Sequence, residues 1–131
     1  NPANTDAPVV QNPNVSCENR SSNVGSYIDN GTDPFDALFI DLGSPIDLST
    51  KNQLKIKVLT PKAIPILAKL EGGTAVEIQV TANIVDEWAE YTFDFSSAVG
   101  NGNDKLVFFF NAGNTDGTTQ DQYFVDDIRF E

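Results

Sequence analysis

Residues 52–60 read NQLKIKVLT. Leu54, Ile56 and Val58 alternate with Lys55 and Lys57, a period of two that puts apolar side chains on one face of a strand and ammonium groups on the other. The alternation returns in TAVEIQVTA (74–82), where Val76, Ile78 and Val80 interleave with Glu77, Gln79 and Thr81. It returns again in AEYTFDF (89–95), where Tyr91, Phe93 and Phe95 interleave with Glu90, Thr92 and Asp94. Turn signals separate such runs: DNGTDP at 29–34, GSP at 43–45, TPKAIP at 60–65, EGG at 71–73 and GNGND at 100–104. Strand-length runs punctuated this often predict an all-β sandwich or barrel.

SNVGSYID (22–29), DALFIDL (36–42), PILAKLE (65–71), KLVFFFN (105–111) and QYFVDDIRF (122–130) complete the set. About eight strands result, which fits a two-sheet antiparallel β-sandwich of the jelly-roll type. KLVFFFN is apolar on both faces, as a central strand must be when its second face is also covered. Parity assigns Leu106, Phe108 and Phe110 to the core between the sheets. Val107 and Phe109 then form the floor of a covered or ligand-facing groove, with Asn111 at its rim. The opening NPANTDAPVVQNPN (1–14) has little to bury and is expected to be an irregular lead-in to a single domain spanning 1–131.

The chain carries 19 acidic and 8 basic residues, a formal charge of -11. No basic cluster exists to neutralise phosphates, which excludes nucleic acid and anionic membrane surfaces as partners. The same charge favours a soluble monomer and neutral glycans over sulfated or uronic ones. No apolar stretch approaches the ~20 residues of a membrane helix. The sequence has no Met and shows no signal-peptide pattern, so it reads as a processed product or excised module, expected to be secreted or held at the cell surface. Cys17 has no partner for a disulfide and is expected to be a small, half-buried side chain.

There is no His, which removes Ser–His and Cys–His triads and the usual zinc sites. A pair of carboxylates could serve a glycosidase, but most acids fall on outward strand positions or in turns, where a solvated charge is the simpler reading. The chain is therefore read as not an enzyme. Calcium takes oxygen ligands, and NAGNTDG (111–117) carries a fragment of a calcium-loop spacing without its closing Glu. Asp126 and Asp127 are the better lead for a structural Ca2+. If Ile128 and Phe130 point to the core, Asp126 shares their side and requires a cation or several hydrogen bonds, unless the strand end is simply exposed. Sugar sites pair an aromatic face with a few hydrogen-bonding groups. Trp88 is either an edge anchor of the core or a ligand contact. Phe35 has no periodic reason to be buried, and Tyr27 and Tyr123 are amphipathic. Gln79, Glu77, Lys57 and Lys69 occupy outward strand positions.

Several segments resemble a known family. NPNVSCENRSSNVGSYIDNG (12–31), LGSPIDLSTKNQLKIKVLTPKAIPILAKLEG (42–72), EWAEYTFDFS (87–96), KLVFFFNAG (105–113) and YFVDDIRF (123–130) resemble, in order and spacing, jelly-roll carbohydrate-binding modules similar to families 4 and 9. Such modules accompany secreted, laminarinase-like glycoside hydrolases of Bacteroidetes. Cys17 stands where that pattern has Gly, and Phe35 where Trp is common. The pattern's opening strand, whose Glu helps the DDI aspartate hold calcium, is not recognisable here. The resemblance implies non-catalytic binding of a neutral polysaccharide, first a β-glucan such as laminarin, in service of a parent catalytic domain in cis. The residues expected at the ligand are Trp88, Phe35, Tyr27, Tyr123, Gln79, Glu77, Lys57, Lys69 and Asn111, with Asp126 and Asp127 at the metal. The rival reading is a structural or adhesive β-sandwich spacer with all its aromatics in the core.

Overall fold

The computed structural model describes residues 7–115 and 121–131. Its strands, in chain order, are β1 (Val9–Gln11), β2 (Asn23–Ile28), β3 (Ala37–Asp41), β4 (Gln53–Leu59), β5 (Ile64–Glu71), β6 (Val76–Ala82), β7 (Ala89–Asp94), β8 (Lys105–Phe110) and β9 (Gln122–Phe130). All eight expected runs became strands, and their alternation is why: in β4 and β5 every second side chain is buried. The ninth, β1, corrects the irregular lead-in. Val9 and Val10 pair with Gly25 and Val24 of β2, and β-branched residues suit an edge strand even where little is buried. Gly25 permits the approach, because a Cβ there would lie 3.0 Å from Val125 Cγ2 and 3.3 Å from Ala7 Cβ.

The strands form two sheets, ordered β1-β2-β9-β4-β7 and β3-β8-β5-β6, and every pairing is antiparallel. Between them lie Leu54, Ile56 and Val58 of β4, Ile66, Ala68 and Leu70 of β5, and Leu106, Phe108 and Phe110 of β8. An aromatic stack crosses this core. Phe110 lies 5.5 Å from Tyr123 and 5.2 Å from Tyr27, ring centre to ring centre, and Phe108 lies 6.1 Å from both Phe110 and Phe93. Tyr27 and Tyr123 are thus core residues, and the expectation that they touch ligand is corrected. Their rings face Phe110 across the sandwich because β2 and β9 pair Tyr27 directly with Tyr123 on the inner face.

β9 departs from strict alternation. Asp126 pairs with Lys57 and Arg129 with Lys55, so Asp127 and Ile128 together oppose Ile56 in a β-bulge. Asp127 takes a left-handed φ of 52° at that point, a conformation in which Asp is among the better-suited residues other than Gly. The extra residue reverses the parity. Val125 before it and Ile128 after it both pack on the core, whereas Asp126 shares the outward side of Lys57. The expected inward Asp126 is therefore corrected.

Phe110→Ala should cost about 3–5 kcal/mol, read as a lower urea midpoint, because it removes the ring that joins β8 to β2 and β9. Burial first, and then the charge of Asp36, hold the Tyr27 phenol above its ordinary value. The folded state thus favours the protonated phenol, and its contribution to stability is lost as pH rises past about 10. The urea midpoint should fall above that pH. Tyr27→Phe should flatten the fall; an unchanged slope would remove Tyr27 as its cause.

Candidate functional site

A two-sheet sandwich has two outer faces, and here they differ. The five-stranded sheet is closed at one end by the segment 12–22. Trp88, Val24 and Leu59 form a second buried cluster on that face, with Val10 and Phe124 packed against it. Asn12 holds the segment over them. Its Nδ2 donates to Ser21 O at 2.9 Å, and its Oδ1 accepts from Asn14 N at 2.9 Å and from Trp88 Nε1 at 3.1 Å. Trp88 is only 3% exposed. Its indole is an anchor beneath a loop, which decides between the two roles the sequence left open. Cys17, in the same segment, is exposed rather than half-buried.

Further along this face the side chains are charged and mutually paired. Lys55 meets Glu131 at 3.1 Å, Lys57 meets Asp127 at 3.4 Å, and Arg129 meets Glu90 and Asp127 at 3.0 Å each. Lys57 is consequently separated from Phe35, Gln79, Glu77 and Lys69 by the thickness of the sandwich. Asp127 has two cationic partners, and Asp126 lies on the same outward side. Among the described residues no group of three or more acidic, His or Cys side chains is placed to hold a metal. The DDI pair does not fit the calcium site that the resemblance implies, because the Asp127 carboxylate is turned to lysine and arginine and Asp126 stands outward beside it. NAGNTDG lies partly outside the described residues.

The outer face of the four-stranded sheet is built differently. Register sets its side chains in rows across the strands: Ala37, Phe109, Leu67 and Gln79 in one, Phe39, Val107, Lys69 and Glu77 in the next, then Asp41, Lys105 and Glu71. Phe35 stands above the first row, 57% exposed, its ring edge-on to Phe109 at 6.0 Å and 85°. An Asp33 carboxylate accepting from Phe35 N at 2.9 Å fixes the turn that presents it. Gly113 N donates to Pro34 O at 2.9 Å and Ala112 N to Pro65 O at 3.3 Å, which secures the loop after β8 against both neighbours of the aromatic pair. Lys69 Nζ lies 3.0 Å from Glu71 Oε2 and 3.8 Å from Glu77 Oε1.

Of the expected contacts, then, this face gathers Phe35, Gln79, Glu77 and Lys69. Asn111 directly follows β8, but it is only 6% exposed and its Oδ1 accepts from Asn114 Nδ2 at 3.2 Å, so it shapes the loop instead of presenting an amide. Val107 and Phe109 are on the face and not in the inter-sheet core, as parity assigned them. Phe39 and Leu67 were missed. Their signal was an apolar residue at an outward position: Leu67 shares the parity of Lys69, and Phe39 that of Asp41.

No protein-family model matches the chain, and no curated protein matches it in sequence. Solved structures do match in fold. A variant of a family 29 carbohydrate-binding module is 15% identical, with 80% of this chain and 68% of that chain covered and a TM-score of 0.58. The family 30 carbohydrate-binding module of a cellulosomal cellulase of Clostridium thermocellum is 11% identical over 96% of this chain and 82% of its own, with a TM-score of 0.64. An exo-beta-agarase gives 11% identity and a TM-score of 0.69 over 96% of this chain, which spans only 22% of the enzyme. At these identities the likeness establishes the fold, a β-sandwich of the kind seen in carbohydrate-binding modules.

The chain has one Trp, so its fluorescence reports the closed face alone. Asn12→Ala should red-shift the emission and lower stability by about 1–3 kcal/mol, since the indole N–H loses its buried acceptor. Phe35→Ala should leave the emission unchanged; a matching shift in both variants would contradict the separation of the two faces.

Proposed function

We propose that the outer face of the four-stranded sheet binds a neutral polysaccharide without cleaving it. The observation that carries this reading is the Phe35–Phe109 pair, continued by Leu67 and Phe39, on the outer face that, among the described residues, neither a loop nor an extended ion network closes. A sugar ring has a C–H face that packs on such a surface and hydroxyls that need partners at its edge. Gln79, Glu77 and Lys69 supply donors and acceptors at the margin of the apolar strip. A chain laid across the strands would pass over the first row, about 14 Å wide at the usual inter-strand spacing. The first candidate is a β-glucan of the laminarin type, and the role that follows is to hold a parent glycoside hydrolase or surface protein on its substrate outside the cell. The carbohydrate-binding modules with the same fold support this reading, as does a sequence without His and with one exposed Cys.

Calorimetry or affinity gels against laminarin, a β-1,4-glucan, mannan and xylan test it. Saturable binding to at least one is expected. Phe35→Ala and Phe109→Ala should each weaken that binding tenfold or more, about 1.4 kcal/mol, while Phe35→Ala changes folding stability by no more than about 0.5 kcal/mol because the ring is exposed. Binding to no polysaccharide in the panel would sink the proposal.

A further inference from the structure

We infer that Glu71, Lys69 and Glu77 form the charge filter of this face, making it select uncharged chains and reject uronates of the same backbone. The inference rests on the glycan-binding reading above. Lys69 lies on β5, an interior strand of the sheet, and register sets it between Val107 and Glu77 in the row beside Phe109 and Leu67. Val107 is fully buried although it points outward, so its neighbours on the face, the long Lys69 stem among them, cover it.

The ammonium sits between two carboxylates, 3.0 Å from Glu71 and 3.8 Å from Glu77. An ammonium has three donors and each carboxylate several lone pairs, so the trio retains one N–H and spare acceptors for a ligand. A pair of sugar hydroxyls, each both donor and acceptor, matches that set. A sugar carboxylate does not. It can accept from Lys69 but must lie against Glu71 and Glu77, with Asp41 in the adjoining row. Lys105, the other cation on these rows, stands in register between Asp41 and Glu71. Each cation of these rows is thus flanked by carboxylates, and an arriving anion meets them first.

A solvated ion cluster on a protein surface is ordinarily of little energetic consequence. Such a cluster and a filter differ in what removal of the carboxylates does. Glu71→Gln/Glu77→Gln keeps the shape and the hydrogen-bonding capacity of the side chains and leaves the Lys69 charge uncompensated. Binding of laminarin and of laminarin oxidised at C6 to the uronate is compared by calorimetry, with mannan and its C6-oxidised form as a second pair. In 10 mM salt the unaltered protein should bind the neutral polymer at least tenfold more tightly than its oxidised form. In the double variant the preference for the neutral over the oxidised polymer should fall tenfold or more, a gain for the oxidised form that is read as the ratio of the two affinities. That gain should shrink in 0.15 M salt, where the screening length falls to about 8 Å, and vanish when Lys69→Met is added. Equal binding of both polymers by the unaltered protein, or no gain in the double variant, overturns the filter while leaving glycan binding intact. Failure of the unaltered protein to bind either neutral polymer overturns the filter, and failure to bind any polysaccharide of the panel overturns the reading beneath it as well.

Discussion

The stacking of Phe110 against Tyr123 and Tyr27 joins the two sheets at the end where the loops gather. β8 supplies Phe108 and Phe110 to the interior and Phe109 to the surface from three consecutive positions, because successive side chains of a strand point to opposite sides. Large rings on both sides demand a strand with neighbours on either edge, which β3 and β5 provide. Phe109 therefore cannot move independently of the core. Its position is fixed by the packing of the residues before and after it, and Phe35 takes its edge-on place against a floor that is already set.

The two outer faces differ in what they leave to solvent. On the five-stranded sheet, apolar surface is covered by the segment 12–22 and the remaining charges neutralise one another. On the four-stranded sheet the apolar strip is left open, and the Lys69 ammonium beside it lies between carboxylates. On the proposed reading, recognition is built on strands, with a single residue contributed by a turn, and such a surface needs little rearrangement to accept a ligand.

Much of this was legible in the residues. Alternation in NQLKIKVLT, TAVEIQVTA and AEYTFDF fixed both the strands and their inward faces, since a one-residue slip would expose the whole apolar set. Parity likewise divided KLVFFF into core and floor. What escaped depends on contacts distant in the chain. Trp88 is buried because Asn12, far away in sequence, folds a loop over it, and no local pattern announces that. Tyr27 and Tyr123 are interior because they pair with each other and meet Phe110. Phe39 and Leu67 share the outward parity of Asp41 and Lys69, but whether their face is covered is decided by sheet order and by loops distant in the chain. Lys57 and Lys69 look identical as alternating strand lysines, and only sheet order puts them on opposite sides of the molecule.

The bulge at Asp127 carries a further consequence for how this sequence can change. β9 satisfies the inner face with Val125 before the bulge and with Ile128 and Phe130 after it, so the bulge absorbs Asp127 as a supernumerary residue and keeps the strand's two halves in phase. Flattening the bulge with Asp127 still in the strand would be equivalent, in its effect on packing, to exchanging the inside and outside of the strand's last three positions: Ile128 and Phe130 would turn to solvent and Arg129 toward the core. Backbone conformation at this point is therefore constrained as tightly as composition is in the strand's interior. Position 127 suits Gly, Asn or Asp, which accept a positive φ, and excludes β-branched residues, which do not.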